Sequence, residues 1–144
     1  MKGNVSKVYR ELKGIAKIWG CQCEFKTSKK AMGNIVIAGQ CTGGHIDPKI
    51  SIVYYSPDVT VVLFKHIFFH ELGHHVYDML RFRSRMLPQL EMERTVERMA
   101  YFLYKNYYPS ECPHHAAFSA YRGEAVNDSF LVEAMLGLLN TCSK

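Results

Sequence analysis

The pattern of apolar and polar residues predicts one helix and three short strands in the first part of the chain. Between residues 5 and 19 the apolar positions recur every three or four residues, at Val8, Leu12, Ile15 and Trp19. This is the spacing of one face of an amphipathic helix, and Gly20 follows it, as a glycine often does just past a helix end. Three strand-like segments come next, separated by loops rich in glycine, asparagine, serine and aspartate: 21–26, 34–39 and 49–55. Such a series is typical of a small three-stranded antiparallel sheet.

The remaining apolar residues predict three further helices. Ser56-Pro57-Asp58 is a strong helix start, because serine caps a helix and proline suits its first turn. From there to about Leu80 apolar residues fill most of the helix circumference, so we expect a central, buried helix. Two more helices are expected, over 89–107 and about 129–140. One helix, a short sheet and then helices define an α+β fold.

Length and composition indicate a single folded domain over residues 1–144. Hydrophobic residues make up 48% of the chain and charged residues 22%, as in folded rather than disordered proteins. Lysine and arginine number 18 against 13 aspartates and glutamates, which gives a formal charge of +5. The excess is scattered along the chain and needs no partner, so we expect no nucleic-acid ligand.

Secretion and membrane insertion are not expected. The first 20 residues carry charges throughout, unlike the apolar centre of a signal peptide, and the most apolar run, VTVVLFKHIFF, is interrupted by a lysine and a histidine. Five cysteines cannot all pair within one chain, which favours reduced thiols in the cytoplasm. Cys21 and Cys23 share one face of a strand and are interpreted as core residues, with a small zinc site that includes Cys41 and His45 as the alternative.

The stretch FFHELGHH places a glutamate and three histidines in an otherwise apolar helix. Burying so many ionisable groups is costly unless something compensates them. Residues four apart share a helix face, so His70 and His74 can both reach one zinc ion, and Glu71 borders that ion as a general base toward water. This is the HExxH arrangement of zinc peptidases. Gly73 is a poor helix former and indicates that a neighbouring element packs closely here.

The third ligand that a catalytic zinc normally needs is expected from the next helix. Glu97 lies at the edge of the apolar face of that helix and is preferred, and Glu93, one turn earlier on the same stripe, is the alternative. His66, one turn before the motif, is expected to pack beside the site or to supplement its ligands. His75 is expected to form a hydrogen bond or to lie at the surface.

A strand that leads into the HELGH helix is followed by a helix that carries Glu-x-x-Ala. The strand is KISIVYY, the second motif is ERMA, and the second helix ends near Pro109. Over about residues 5–109 this order resembles the ImmA/IrrE-type metallopeptidases of phages, mobile elements and bacteria. The resemblance implies a compact gluzincin-like (zincin-type) fold and cleavage of a regulatory protein such as a repressor. It also implies specific roles, with zinc on His70, His74 and Glu97 and with Glu71 as the base.

The C-terminal region offers two other ligand schemes. The run SAYRGEAVNDSFLVEAML resembles a segment of anthrax-lethal-factor-like zinc toxins, which implies Tyr121 beside the transition state and Asp128 or Glu133 as the third ligand. The run PHHAAF resembles the His-Gly-x-x-Phe motif of SprT-like proteases, which implies His114 or His115. In the preferred scheme Tyr121 is a candidate to stabilise the oxyanion.

Two classes of function are consistent with these motifs. The leading hypothesis is a zinc-dependent endopeptidase acting on a protein or peptide, with the substrate aligned as an added strand on the sheet edge, at 49–55. The competing hypothesis is a non-proteolytic zinc-containing regulatory or inhibitor protein that acts by binding another protein. Glu71 separates the two, because a structural zinc site has no use for an unligated carboxylate at that position.

Overall fold

The fold is described by a computed structural model for residues 5–30, 33, 35–43, 46–55, 57, 59–80 and 89–111. Along the chain its elements are α1 (Val5–Ile18), β1 (Gln22–Thr27), β2 (Ile37–Thr42), β3 (Lys49–Tyr54), α2 (Val61–Met79) and α3 (Gln89–Tyr107). Helices and a separate small sheet confirm the predicted α+β class. The helix expected over 129–140 lies outside the described residues.

The sheet is mixed, with β3 at its centre in the order β1-β3-β2. β1 runs parallel to β3 and β2 runs antiparallel to it, so the predicted all-antiparallel sheet is wrong in one strand pair. The burial of the strands explains why β3, and not β2, lies at the centre of the sheet. β3 is the most apolar of the strands and buries Ile50, Ile52 and Tyr54, whereas β2, with the sequence IAGQCT, alternates half-buried and exposed residues and lies at an edge.

Helix α2 begins later than the sequence predicts. Thr60 caps it, because its backbone is extended (φ −87°, ψ 157°) and its Oγ1 accepts a hydrogen bond from the Leu63 N–H at 3.1 Å. The predicted start at Ser56-Pro57-Asp58 is therefore wrong; Ser56 and Asp58 themselves lie outside the described residues. Helices α1 and α3 match their predicted ranges to within one residue. Among the described residues, no helix has both the length and the apolar character that crossing a membrane requires.

Helix α2 lies at the centre of the fold, between α3 and the sheet. The apolar side chains that it buries completely are Phe64, Phe68, Phe69, Leu72 and Val76. His75 is also buried, and its Nε2 donates a hydrogen bond to the Trp19 carbonyl at 2.9 Å. The Trp19 indole donates in turn to the Tyr107 hydroxyl at 2.9 Å. His75 is thus a buried hydrogen-bonding residue that ties the end of α1 to α2, not a surface residue.

Helices α2 and α3 pack closely at Gly73. A Cβ added there would lie 3.0 Å from the Val96 carbonyl oxygen and 3.2 Å from Val96 Cγ1, closer than ordinary van der Waals contact. Ala100, one turn further along α3, presents its backbone nitrogen 3.6 Å from the same point. The glycine inside the HELGH motif is explained by this contact, because any side chain would push the two helices apart.

Replacing Gly73 with alanine should destabilise the protein, although alanine is the better helix former. Overpacking at such a contact costs about 1–3 kcal/mol of unfolding free energy. Gly14→Ala in α1 is the matched control, because nothing lies within 4 Å of the added Cβ, and it should stabilise by up to about 1 kcal/mol. Urea unfolding followed by the fluorescence of Trp19, the single tryptophan, measures both. Equal effects in the two variants would contradict the close approach.

Candidate metal centre

Three side chains from α2 and α3 converge on one point. His70 and His74 come from adjacent turns of α2, and Glu93 comes from the facing side of α3; each offers a ligand atom, and these atoms all lie within 4.8 Å of one another. Glu93 faces both imidazoles, with one carboxylate oxygen 3.4 Å from His70 Nε2 and the other 3.5 Å from His74 Nε2. All three side chains are half-buried, so the group lies near the protein surface and not in the core.

The spacing of these atoms fits a shared zinc ion. Two ligand atoms on a tetrahedral zinc, each bonded at about 2.0–2.1 Å, lie about 3.3–3.4 Å apart. The two imidazoles lie 3.4 and 3.5 Å from different oxygens of the Glu93 carboxylate, close to that value, and one ligand atom from each residue lies within 4.8 Å of the others, so small side-chain movements would let the three share one ion. Two histidines and one glutamate are also a donor set that catalytic zinc uses, with the fourth position left for water or substrate.

Glu97, the preferred ligand from the sequence, occupies a different position from Glu93. One of its carboxylate oxygens contacts His70 Nδ1, the ring nitrogen that faces away from Glu93. The other lies 3.5 Å from Nε2 of His66, and both Glu97 and His66 are buried. The structure therefore groups Glu93 with the two motif histidines and places Glu97 behind His70. His66 therefore lies beside the site and contacts it through Glu97. This is the first of the two positions expected for His66 from the sequence.

The charges around the centre are strongly coupled. Burial would raise the pKa of Glu97, but its contacts with His66 and His70 outweigh burial and lower that pKa to about 2. Burial acts to lower the pKa of His70, but the hydrogen bond and charge of Glu97 raise it above its usual value. Burial and the neighbouring His70 lower the pKa of His74, which favours the neutral imidazole that a metal requires. At His70, Glu97 holds the proton on Nδ1, and Nε2 is the nitrogen directed at Glu93.

Glu71 lies beside the three convergent side chains and against the sheet. Its side chain is 9% exposed, and the backbone of β2 passes directly over it: a Cβ added at Gly39 would lie 2.8 Å from Glu71 Cγ and 2.7 Å from Ile67 Cγ2. Burial raises the pKa of Glu71; the charge of His70 opposes the rise, and two nearby glutamates add to it. A raised carboxyl pKa suits a general base that works near neutral pH.

An open cleft of about 420 Å³ gives access to these groups. It is bounded by one face of α2, by Glu93 of α3 and by part of β2: the lining residues are Gly39, Gln40, Cys41, His70, Glu71, His74, Asp78 and Glu93. In the described part of the chain β2 pairs only with β3, so the other edge of β2 runs along the cleft. The sequence-based choice of 49–55 as the substrate-binding edge is therefore wrong, because β3 is enclosed between two strands.

The other candidate residues divide into two groups. Those that lie outside the described residues are Tyr121, Asp128, Glu133, His114, His115 and His45. The three described cysteines form no disulfide; Cys21 is buried in the core, and Cys23 and Cys41 are half-buried. Burial raises the pKa of Cys23 to about 12 and that of Cys41 to about 11. None of the three belongs to the metal-binding group found among the described residues; the alternative zinc site with His45 stays a prediction, because His45 lies outside those residues.

Three residues that line the cleft, Gly39, Gln40 and Asp78, were not anticipated from the sequence, although two of them carry a sequence signal. Gly39 lies inside a strand, and a glycine in that position often marks a close approach by another group; here the group is Glu71. Asp78 follows His74 by four residues and so shares its helix face, where it extends the cleft beyond the metal centre. Both signals are weak without knowledge of which strand adjoins α2.

No family model, no curated protein and no solved structure matches this chain. The function is therefore inferred from the geometry of the site itself.

Metal analysis of two isosteric variants should separate the roles of the two glutamates. We expect the wild-type protein to bind one zinc ion, Glu93→Gln to lose most of it, and Glu97→Gln to retain one ion with an affinity about 10–100-fold weaker. Glu91→Gln, an exposed position on the same helix, is the control and should bind zinc normally. The reverse order, with Glu97→Gln losing zinc and Glu93→Gln keeping it, would restore Glu97 as the ligand.

Proposed function

We propose that the protein is a zinc-dependent endopeptidase in which His70, His74 and Glu93 hold the ion and Glu71 is the general base. The observation that carries this proposal is the position of Glu71. Its carboxylate is buried at the rim of the cleft beside the three convergent side chains, and it forms no hydrogen bond or ion pair with another described residue. A purely structural metal site has no use for such a group, whereas hydrolysis requires one.

Glu71 and Glu97 have separate roles in the proposed reaction. When bound, zinc acts as a Lewis acid that polarises a carbonyl oxygen and makes water a better nucleophile at neutral pH. Glu71 accepts a proton from the water that attacks the peptide carbonyl, and it then delivers that proton to the departing amine. Glu97 fixes the ring of His70 through Nδ1, so that Nε2 stays directed into the cleft.

The free edge of β2 supports a peptide as the substrate. An extended peptide can pair with an exposed strand edge through main-chain hydrogen bonds, and the edge residues Gly39, Gln40 and Cys41 line the same cleft as Glu71. Because Gly39 has no side chain, a strand added there would have its backbone close to the Glu71 carboxylate. The peptide bond to be hydrolysed would then lie beside the general base.

The identity of the substrate is proposed from the resemblance to ImmA/IrrE-type enzymes. That resemblance suggests a regulatory protein as the substrate, a phage or mobile element as the setting, and the cytoplasm as the location. Tyr121 remains a prediction as the residue that stabilises the oxyanion. The lethal-factor-like scheme, with Asp128 or Glu133 on the metal, competes with Glu93 and is tested by the same zinc analysis.

Hydrolysis of a fluorogenic protein substrate such as labelled casein, or of a quenched peptide library, tests the proposal. Zinc-loaded wild-type protein should cleave it, and Glu71→Gln should be slower by about 100- to 10,000-fold, which is the usual contribution of a general base. Zinc content should stay at one ion per chain in both, because Glu71 is not a ligand. Glu91→Gln again serves as the isosteric control and should retain full activity.

Two outcomes would contradict an enzymatic role. One is a fully zinc-loaded wild-type protein that cleaves no member of the library. The other is a Glu71→Gln variant that equals the wild type in the biological activity of the protein. Either would favour the non-proteolytic regulatory protein, in which the zinc site supports a binding surface.

A further inference from the structure

The cleft is acidic on a protein that is basic as a whole. The chain has a formal charge of +5, yet three of the eight residues that line the cleft are carboxylic acids, Glu71, Asp78 and Glu93, and no described lining residue is lysine or arginine. In the proposed function Glu93 is neutralised by the metal and Glu71 serves the reaction. The proposed function assigns no role in hydrolysis to Asp78.

Asp78 is positioned to meet a ligand in the cleft. It is half-buried, one helical turn beyond His74, and no lysine, arginine or histidine among the described residues forms an ion pair with it. Its charge acts on Cys41 across the cleft, where burial first and then Glu71 and Asp78 raise the pKa of the thiol. Asp78 on α2 and Cys41 on β2 both line the cleft.

The separation of Glu71 and Asp78 along α2 sets the spacing that an extended ligand would meet in the cleft. From Glu71 to Asp78, a separation of seven residues, the helix rises by about 10 Å, which is the rise of about three residues of a strand. Since Gly39 lies against Glu71, a strand added to the edge of β2 would pass Glu71 first and Asp78 about three residues further on. Side chains two or four residues apart in a strand point to the same face, and both spacings lie about one strand residue from this separation.

We infer that the cleft takes an extended segment with a lysine or arginine two to four residues from the residue beside Glu71, and that Asp78 determines this specificity by pairing with the basic side chain. The inference rests on the proposed function for the place of the peptide along β2. The buried carboxylate of Glu71, directed into the cleft without a partner among the described residues, adds to the negative potential that a basic side chain would meet.

Peptide binding to the zinc-loaded Glu71→Gln variant tests the inference without cleavage. Two decapeptides with a neutral dye are compared by fluorescence anisotropy, one alternating lysine with alanine and the other alternating glutamine with alanine, so that one strand face carries the charges. The lysine peptide should bind at least about threefold more tightly than the glutamine peptide, as expected for a partly exposed ion pair. The preference should shrink in 0.5 M salt, because the Debye screening length falls from about 10 Å at 0.1 M to about 3 Å at 1 M ionic strength.

A second substitution assigns the preference to Asp78. Asp78→Asn in the same background should bind both peptides equally. Asp47→Asn, which removes the same charge from an exposed loop position that does not line the cleft, should leave the preference unchanged. Equal binding of the two peptides before Asp78 is changed, absence of binding, or a preference that survives Asp78→Asn would each overturn the inference.

The binding experiment can contradict the specificity for a basic side chain without contradicting the proposed endopeptidase, and the reverse. If the wild type cleaves peptides in a Glu71-dependent way but shows no preference for the lysine peptide, only the specificity is wrong. If the preference is found and lost with Asp78, but the zinc-loaded wild type cleaves neither peptide, the basic ligand is upheld and the endopeptidase is overturned.

Discussion

The close contact between Gly73 of α2 and Val96 of α3 is the constraint on which the site depends. Gly73 lies between the two motif histidines, and Val96 lies between Glu93 and Glu97, so this one contact sets how far α3 is shifted along α2. At the observed shift Glu93 faces both imidazoles and Glu97 reaches the back of His70. A different shift by one turn would exchange the two glutamates.

Partners from α3 and from the end of α1 explain how a largely apolar helix carries so many ionisable groups. His75 is satisfied by the Trp19 carbonyl, and His66 and His70 share the buried Glu97. Two carboxylates thus act on opposite nitrogens of one imidazole, an arrangement that fixes the tautomer and orientation of a metal ligand. Glu71 forms no hydrogen bond or ion pair with a described residue, and it faces the cleft where the chemistry is proposed.

Much of this architecture could be predicted from the chain. Helical periodicity located α1 and α3, and the spacing of His70, Glu71 and His74 located the candidate site. The order of the strands could not be predicted, because it depends on β3 burying more apolar surface than its neighbours. Glu93 and Glu97 share a helix stripe one turn apart, and choosing between them requires the shift of α3 against α2. That shift is set by the packing of the two helices, and it cannot be predicted from the periodicity of apolar residues.

The most direct test is the location of the metal in crystals grown with zinc, from diffraction data collected on both sides of the zinc absorption edge. We predict one anomalous peak bonded to His70 Nε2, His74 Nε2 and a Glu93 oxygen, with Glu97 on His70 Nδ1 and Glu71 unligated. A zinc-replete crystal without a peak at these residues, or with a peak coordinated by Glu71, would contradict the account.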